Sequence, residues 1–224
     1  MSSADGRATG PEGFRYLPGH LGPEAQRQLV ATLRALVAEA PLYRPTMPKS
    51  GRPFSVRMTN AGSHGWYSDR EGYRYVPRHP QTGRPWPAIP AALLALWREV
   101  AGYPADPECC LVNFYAADAR MGLHRDEDEE TFAAPVVSLS LGDSAVFRIG
   151  GATPRSQGRR GPTTSLKLHS GDVVVLGGAA RLAYHGIDRV LGGSSRLLPP
   201  DQWEGGGRIN VTLRRVTPAP QDAR

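Results

Sequence analysis

Residues 109–128 read Cys-Cys-Leu-Val-Asn-Phe-Tyr-Ala-Ala-Asp-Ala-Arg-Met-Gly-Leu-His-Arg-Asp-Glu-Asp and join a short apolar run to a His-x-Asp motif. His124 and Asp126 are two residues apart, so on an extended chain both side chains point to one face and can reach one ion. A second apolar run, residues 172–176, precedes His185. Two imidazoles and one carboxylate are the donor set of a non-haem Fe(II) centre with open positions. We therefore interpret His124, Asp126 and His185 as candidate metal ligands and catalytic residues.

Short apolar runs separated by Gly-rich or polar turns dominate the second half of the chain. They are residues 109–115, 136–141, 144–149, 165–169, 172–176, 181–184 and 208–214. Many short strands with turn signals are typical of a β-sandwich or barrel. Upstream, residues 21–40 and 91–101 are predicted as helices, the first from leucines at helical spacing. We predict an α+β fold, a double-stranded β-helix (jelly-roll) core at about 108–215 with N-terminal supporting helices.

Glycines and aromatic residues fill the region between the two predicted helices. Residues 54–60 are predicted as a strand, and the segment up to residue 75 contains Trp66 and Tyr73. Such a composition is typical of hairpins or an ordered loop. We expect a lid at about 54–80 within one domain spanning 13–215. Residues 1–12 and 216–224 are expected to be flexible tails.

Composition narrows the class of protein. The chain has 224 residues, no apolar run of about 20 residues as a membrane helix needs, and a formal net charge of +6. The positive charge permits a polyanionic partner such as nucleic acid. Cys109 and Cys110 are adjacent, where a disulfide would be strained, so we interpret them as reduced thiols of a cytoplasmic protein. No seam or apolar stripe suggests an oligomer, and we expect a monomer.

The run 208–214 reads Arg-Ile-Asn-Val-Thr-Leu-Arg and alternates polar with apolar residues. On a strand, Arg208, Asn210 and Arg214 share one face. That face is either solvated or turned inward. If it is inward, buried arginines require an anionic ligand, and a dicarboxylate such as 2-oxoglutarate supplies bidentate partners. Asn113 and Tyr115 share a face of the run 109–115 and offer further hydrogen bonds.

An acidic run follows the His-x-Asp motif, Asp126-Glu-Asp-Glu-Glu130. For Glu127, Glu129 and Glu130 we favour a solvated acidic loop without chemistry.

Taken together, several short motifs resemble the AlkB family of Fe(II)/2-oxoglutarate-dependent nucleic-acid demethylases, from about residue 54 to 215. The motifs are Met58-Thr-Asn60, Gly65-Trp66, Gly72-Tyr73, Pro80-Gln-Thr82, Pro85-Trp-Pro87, Asn113-x-Tyr115, His124-x-Asp126-x-Asp128, Ser138-x-Ser-Leu-Gly142, Gly171-Asp-Val-Val174, Tyr184-His185-Gly186 and Arg208-x-Asn210-x-Thr-x-Arg214. No single motif would be specific, but the combination is.

The resemblance implies a role for each matching residue. His124, Asp126 and His185 match the iron ligands. The positions that match 2-oxoglutarate contacts are Asn113, Tyr115, Arg208, Asn210 and Arg214, with Arg208 expected on the remote carboxylate. Trp66 and Tyr73 match lid aromatics that flank the nucleotide, and Asp128 matches a residue beside the damaged base. Arg159 and Arg160 are candidate substrate contacts in a segment, 152–170, that is longer than the family pattern.

The implied activity is oxidative demethylation of N-alkylated bases, of the 1-methyladenine and 3-methylcytosine type, in single-stranded DNA and by extension RNA. It would use Fe(II), O2 and 2-oxoglutarate, coupling 2-oxoglutarate decarboxylation to methyl hydroxylation and formaldehyde release. Two alternatives stay open. One is a dioxygenase with the same cofactors that acts on protein or a small molecule, and the other is a non-catalytic nucleic-acid-binding module.

Overall fold

A computed structural model describes residues 10–150, 162–203 and 206–219. Within these residues the helices are α1 (Pro23–Glu39) and α2 (Ala91–Val100), close to the predicted ranges. The strands are β1 (Phe14–Leu17), β2 (Arg57–Gly62), β3 (Gly65–Asp69), β4 (Gly72–Val76), β5 (Cys109–Tyr115), β6 (Met121–His124), β7 (Val136–Gly142), β8 (Ser144–Gly150), β9 (Thr163–Leu168), β10 (Val173–Leu176), β11 (Tyr184–Leu191) and β12 (Arg208–Arg214).

Two antiparallel sheets form the body of the domain. The larger sheet has the order β1-β10-β7-β12-β5-β2, and the smaller has the order β6-β11-β8-β9. Strands β3 and β4 form a separate two-stranded hairpin. In the larger sheet β12 lies between β5 and β7, so both of its backbone edges are paired. The expected α+β class with a double-stranded β-helix core is confirmed.

Each face of the larger sheet belongs to a different hydrophobic cluster. The outer face packs against the apolar side of α1, including Leu29 and Leu33, and against Trp97 of α2. Pro23 occupies the first turn of α1, where its missing amide hydrogen costs nothing. The inner face packs against the smaller sheet through residues such as Phe147 and Ile149. The helices therefore brace one side of the sheet and leave the space between the sheets for a site.

The region predicted as a lid divides into two parts. β2 starts at Arg57 rather than residue 54, because the Phe54 amide donates to Pro45 O (2.9 Å) in the preceding loop. β2 pairs with β5 inside the larger sheet. Within residues 54–80 only β3 and β4, residues 65–76, form a sheet of their own. The separate element is therefore smaller than the predicted lid.

Other boundaries also differ. The apolar run 181–184 is not a strand, because a 3₁₀ turn at Gly178–Ala180 leads into Arg181 and β11 begins only at Tyr184. The four-residue strands β1 and β6 were too short to stand out as apolar runs.

The segment after β12 is packed on the domain. Thr217 donates its amide to Glu108 Oε2 (2.7 Å), and the Ala219 side chain is buried. Residues 216–219 are therefore part of the folded domain and not of a tail.

Cys109 and Cys110 are both free and buried, as expected for reduced thiols. In the described part of the chain, no helix is both long and apolar enough to span a bilayer.

Candidate active site

Two adjacent strands of the smaller sheet bring the predicted metal ligands together. His124 at the end of β6 is the register partner of His185 on β11. Asp126 follows two residues after His124 and lies between the imidazoles. His124 Nε2 is 3.8 Å from Asp126 Oδ1, and His185 Nε2 is 3.7 Å from Asp126 Oδ2. One ligand atom from each residue lies within 4.8 Å of the others, a spacing that can hold a metal ion.

Backbone carbonyls orient both imidazoles. His124 Nδ1 is 2.9 Å from Gly122 O, and His185 Nδ1 is 3.1 Å from Ala183 O. A proton on each Nδ1 satisfies these contacts and leaves Nε2, the ring nitrogen nearer Asp126, available to bind a metal. Burial, followed by the neighbouring His124, lowers the pKa of His185 to about 4. His185 is therefore neutral near pH 7, the state that a metal ligand requires.

Asp126 is held ionised despite its burial. Burial alone would raise the pKa of this carboxyl, but the charge of Arg214 and then those of the neighbouring imidazoles and Arg181 outweigh burial and hold the pKa far below its usual range. Arg214 Nη2 donates to Asp126 Oδ1 (2.8 Å). Asp126 Oδ2 is buried without a hydrogen-bond partner among the described residues. An ionised oxygen facing two imidazoles fits a divalent cation.

The polar face of β12 turns inward. Arg208 is 0% exposed and Arg214 is 5% exposed. Both line a cavity of about 920 Å³ between the sheets, together with the three candidate metal ligands. The apolar face of β12, with Ile209 as an example, packs in the cluster shared with the helices. The choice that the alternation left open is thus decided in favour of an inward polar face.

Arg208 is buried with neutral partners. Its guanidinium donates to Ser140 Oγ (2.7 Å) and to Asp143 O (3.3 Å). Burial lowers the pKa of Arg208 to about 10, which still leaves it charged at neutral pH. Burial also raises the pKa of Tyr115, its register partner on β5, to about 12. A buried cation whose hydrogen-bond partners are neutral favours an anionic ligand.

Further unpaired polar atoms lie in the same part of the molecule. Asn113 Oδ1 and the Nε atoms of Arg208 and Arg214 are buried without hydrogen-bond partners among the described residues. Asn113 faces Asn210 across β5 and β12. The cavity thus carries two guanidiniums, a phenol and amides beside the candidate metal ligands. This donor set suits a dicarboxylate whose one end reaches the metal.

The β3–β4 hairpin carries the candidate base-flanking aromatics. The rings of Trp66 and Tyr73 stack with centroids 5.6 Å apart and planes at 20°. Trp66 Nε1 donates to Asp128 Oδ2 (2.8 Å). Burial raises the pKa of Asp128 although the Trp66 bond opposes the shift. Trp66, Tyr73 and Asp128 all line the cavity that contains His124 and His185.

Glu129 corrects the prediction for the acidic run. Glu127 and Glu130 are exposed, but Glu129 is only 6% exposed. Its Oε2 accepts from Arg181 Nη2 (3.0 Å), and its Oε1 accepts from Tyr75 Oη (2.6 Å). Burial is possible because a buried arginine neutralises the carboxylate. Neither Tyr75 nor Arg181 was assigned a role from the sequence. An arginine at the start of the apolar run 181–184 was nevertheless a signal of a buried ion pair.

Arg159 and Arg160 lie outside the described residues.

Comparison with known proteins agrees with this geometry. The model of the 2OG-Fe(II) oxygenase superfamily matches residues 13–214. An alpha-ketoglutarate-dependent dioxygenase AlkB homolog of Caulobacter vibrioides is 54% identical over 92% of this chain and 89% of its own length. The Escherichia coli alpha-ketoglutarate-dependent dioxygenase AlkB is 42% identical over 75% of this chain and 77% of its own.

A solved structure and more distant relatives extend the comparison. The structure of OsALKBH1 superposes with a TM-score of 0.76 at 27% identity and covers 91% of this chain and 96% of the other. A Schizosaccharomyces pombe protein named tRNA demethylase abh1 is 34% identical over 50% of this chain and 37% of its own. With a family model across almost the whole chain and a relative above half identity, this chain belongs to the AlkB-type dioxygenases of the 2OG-Fe(II) oxygenase superfamily.

Proposed function

We propose that this chain is an oxidative demethylase that repairs N-alkylated bases of the 1-methyladenine and 3-methylcytosine type in DNA, and in RNA as a second substrate. The observation that carries the proposal is that the stacked Trp66–Tyr73 pair lines the same cavity as His124, Asp126 and His185. Aromatic faces beside a metal centre suit a base taken out of its stack. A relative named as a tRNA demethylase supports a nucleic-acid substrate.

Different residues would bind the metal ion and the co-substrate. His124, Asp126 and His185 would hold Fe(II). Arg214 bonds Asp126 and so lies at the metal end of the cavity, whereas Arg208 lies against Ser140 and Asp143. We assign Arg208 to the remote carboxylate of 2-oxoglutarate and Arg214 to the end near the metal. Asn113, Tyr115 and Asn210 would complete the co-substrate contacts.

When bound, Fe(II), 2-oxoglutarate and O2 supply the oxidation that hydroxylates the methyl group, with succinate and carbon dioxide as by-products. The chain itself orients the base. Trp66 and Tyr73 offer ring faces for stacking, worth about 1–3 kcal/mol per base. Asp128, fixed by the Trp66 indole, presents a carboxyl group to the edge of the base. The hydroxymethyl group then leaves as formaldehyde.

The proposal also covers the strandedness of the substrate, the oligomeric state and the cellular compartment. A single strand places a base in the cavity at lower cost than a duplex, since no base pair has to open. Exposed arginines beside the cavity, such as Arg120, suit a phosphate backbone. We further propose a monomer in the cytoplasm, where the free Cys109 and Cys110 stay reduced.

The test is anaerobic reconstitution with Fe(II) and 2-oxoglutarate, followed by air and a single-stranded oligonucleotide carrying 1-methyladenine. Mass spectrometry should show the loss of one methyl group, dependent on both cofactors and absent in His124→Ala protein that stays folded. If the methyl group stays while peptide or metabolite stimulates succinate formation, the substrate class is wrong. Oligonucleotide binding without Fe(II) or 2-oxoglutarate binding would support a non-catalytic module.

A further inference from the structure

The loop that carries Asp126 has no strand partners of its own. β6 ends at His124, and the next residues, 125–128, belong to no helix or strand. A backbone ladder therefore cannot fix the position of the Asp126 carboxylate. Side chains must hold the carboxylate in place, because a site whose metal-binding groups are displaced by about 1 Å loses much of its function.

Arg181 supplies part of this support. It is 2% exposed and donates in three directions, to Ala134 O (2.9 Å), to Asp126 O (2.6 Å) and to Glu129 Oε2 (3.0 Å). It precedes His185 by four residues, so it joins the segment of one metal ligand to the backbone of another. A planar guanidinium with several fixed donors holds such a junction in one geometry.

Glu129 connects the same junction to the hairpin. Tyr75 on β4 donates to Glu129 Oε1 (2.6 Å) and lies 3.4 Å from Arg214 Nη1. Tyr75 is the register partner of Trp66 on β3, and Trp66 bonds Asp128. The hairpin is thus tied to two consecutive residues of the metal-ligand loop. Two carboxylates, Asp126 and Glu129, balance the buried guanidiniums of Arg181 and Arg214.

We propose that Tyr75, Glu129 and Arg181 form a positioning network that couples the base-binding hairpin to the metal and 2-oxoglutarate site. Burying an ion pair removes two charges from water, so the pair often stabilises a fold no more than apolar residues of the same size. A pair whose hydrogen bonds are all made does hold its groups in one geometry. A role in positioning therefore fits these residues better than a role in stability. Metal binding restricts the motion of Asp126 and Arg214. Through Glu129 and Tyr75 it then also restricts the motion of the β3–β4 hairpin. These are positioning residues, and none of them is assigned to the reacting atoms.

The inference rests on the proposed function for its kinetic readout, so the first measurement avoids a nucleic acid. Amide hydrogen exchange of residues 72–76 is followed with and without Fe(II) and 2-oxoglutarate under anaerobic conditions. Wild type should gain protection in β4 on loading, and Tyr75→Phe should not. Equal protection in both proteins refutes the coupling, whatever the substrate proves to be.

The matched control is Tyr16→Phe, since Tyr16 Oη also donates to a buried carboxylate, Asp172 (2.8 Å), but on β1 and outside the cavity lining. With methylated oligonucleotide, Tyr75→Phe should raise KM about tenfold, as expected for one hydrogen bond to a charged group. It should also release more succinate per formaldehyde. Tyr16→Phe should change neither quantity. If the two variants behave alike, the network has no positioning role.

Glu129→Gln extends the test to the metal end. It should weaken 2-oxoglutarate binding, measured anaerobically by the visible charge-transfer absorption of the Fe(II) complex, because Arg181 and Arg214 lose a carboxylate. Combining Tyr75→Phe with Glu129→Gln should raise KM no further than Glu129→Gln alone, since both act through one contact. If the rise in KM of the double variant equals the product of the two single-variant rises, the proposal is wrong. If Glu129→Gln does not fold, the comparison of Tyr75→Phe with Tyr16→Phe decides.

Discussion

His124 and His185 face each other across β6 and β11 as register partners, with ring centroids 4.5 Å apart. The close pairing depends on Gly186. A Cβ atom there would lie 2.6 Å from Met121 O and 2.9 Å from Gly122 O, both on β6. The glycine after the second histidine thus permits the close approach of β6 and β11 that brings two candidate metal ligands together.

Gly186→Ala should therefore separate β6 from β11. The contacts are to backbone atoms that cannot rotate away, so we expect a loss of about 1–3 kcal/mol in the free energy of unfolding and weaker metal binding. Denaturant unfolding and Fe(II) titration measure the two effects. Gly192→Ala is the control, since its Cβ would meet Ala117 at an ordinary 3.6 Å. Equal stability and metal affinity in both variants would show that Gly186 is not needed for the approach.

Metal loading should stabilise the wild-type domain and leave Asp126→Asn unaffected. Asp126 and the two imidazoles come together as a metal-binding group only in the folded state. Ligand at a hundredfold excess over Kd adds about 2.7 kcal/mol. Thermal unfolding with and without Fe(II), under anaerobic conditions, measures the shift. A similar rise in Tm for Asp126→Asn would place the metal elsewhere.

Arg208→Lys should impair 2-oxoglutarate binding while sparing the metal. Lysine keeps the charge but loses the fork that can grip a carboxylate with two hydrogen bonds, so we expect KM for 2-oxoglutarate to rise about tenfold or more. Arg98→Lys, at an exposed pair with Asp106, is the control and should leave KM unchanged. The assignment of Arg208 fails if Fe(II) affinity falls and KM for 2-oxoglutarate does not move.

Tyr73→Ala should weaken substrate binding and leave the stability of the domain almost unchanged. Tyr73 is 51% exposed, so its removal should change the free energy of unfolding by about 0.5 kcal/mol or less. The loss of one stacking face should raise KM for the oligonucleotide about fivefold or more. Succinate formation in the absence of nucleic acid should be unaffected. An unchanged KM for the oligonucleotide would remove Tyr73 from the base-binding surface.

Local patterns in the sequence were sufficient for much of the fold. Leucine spacing predicted α1, and apolar runs predicted β5 and β12 at their observed bounds. The His-x-Asp motif and the later His185 predicted a cluster that the strand register then assembles. These features depend on side-chain periodicity or on residue chemistry, and both can be read from neighbouring residues.

The remaining features depend on partners far apart in the chain. Alternation in β12 left open whether Arg208 faces water or the interior. The packing of the helices on one face of the sheet and of the smaller sheet on the other decides it. Glu129 belongs to an acidic run that looked solvated, but Arg181 and Tyr75 lie 52 and 54 residues away and neutralise and bond it. The fold class, the candidate metal ligands and the chemistry that they suit could all be predicted from local sequence patterns. Tertiary structure alone decided which charges are buried, because the free energy of a buried ion depends on the partners that folding brings to it.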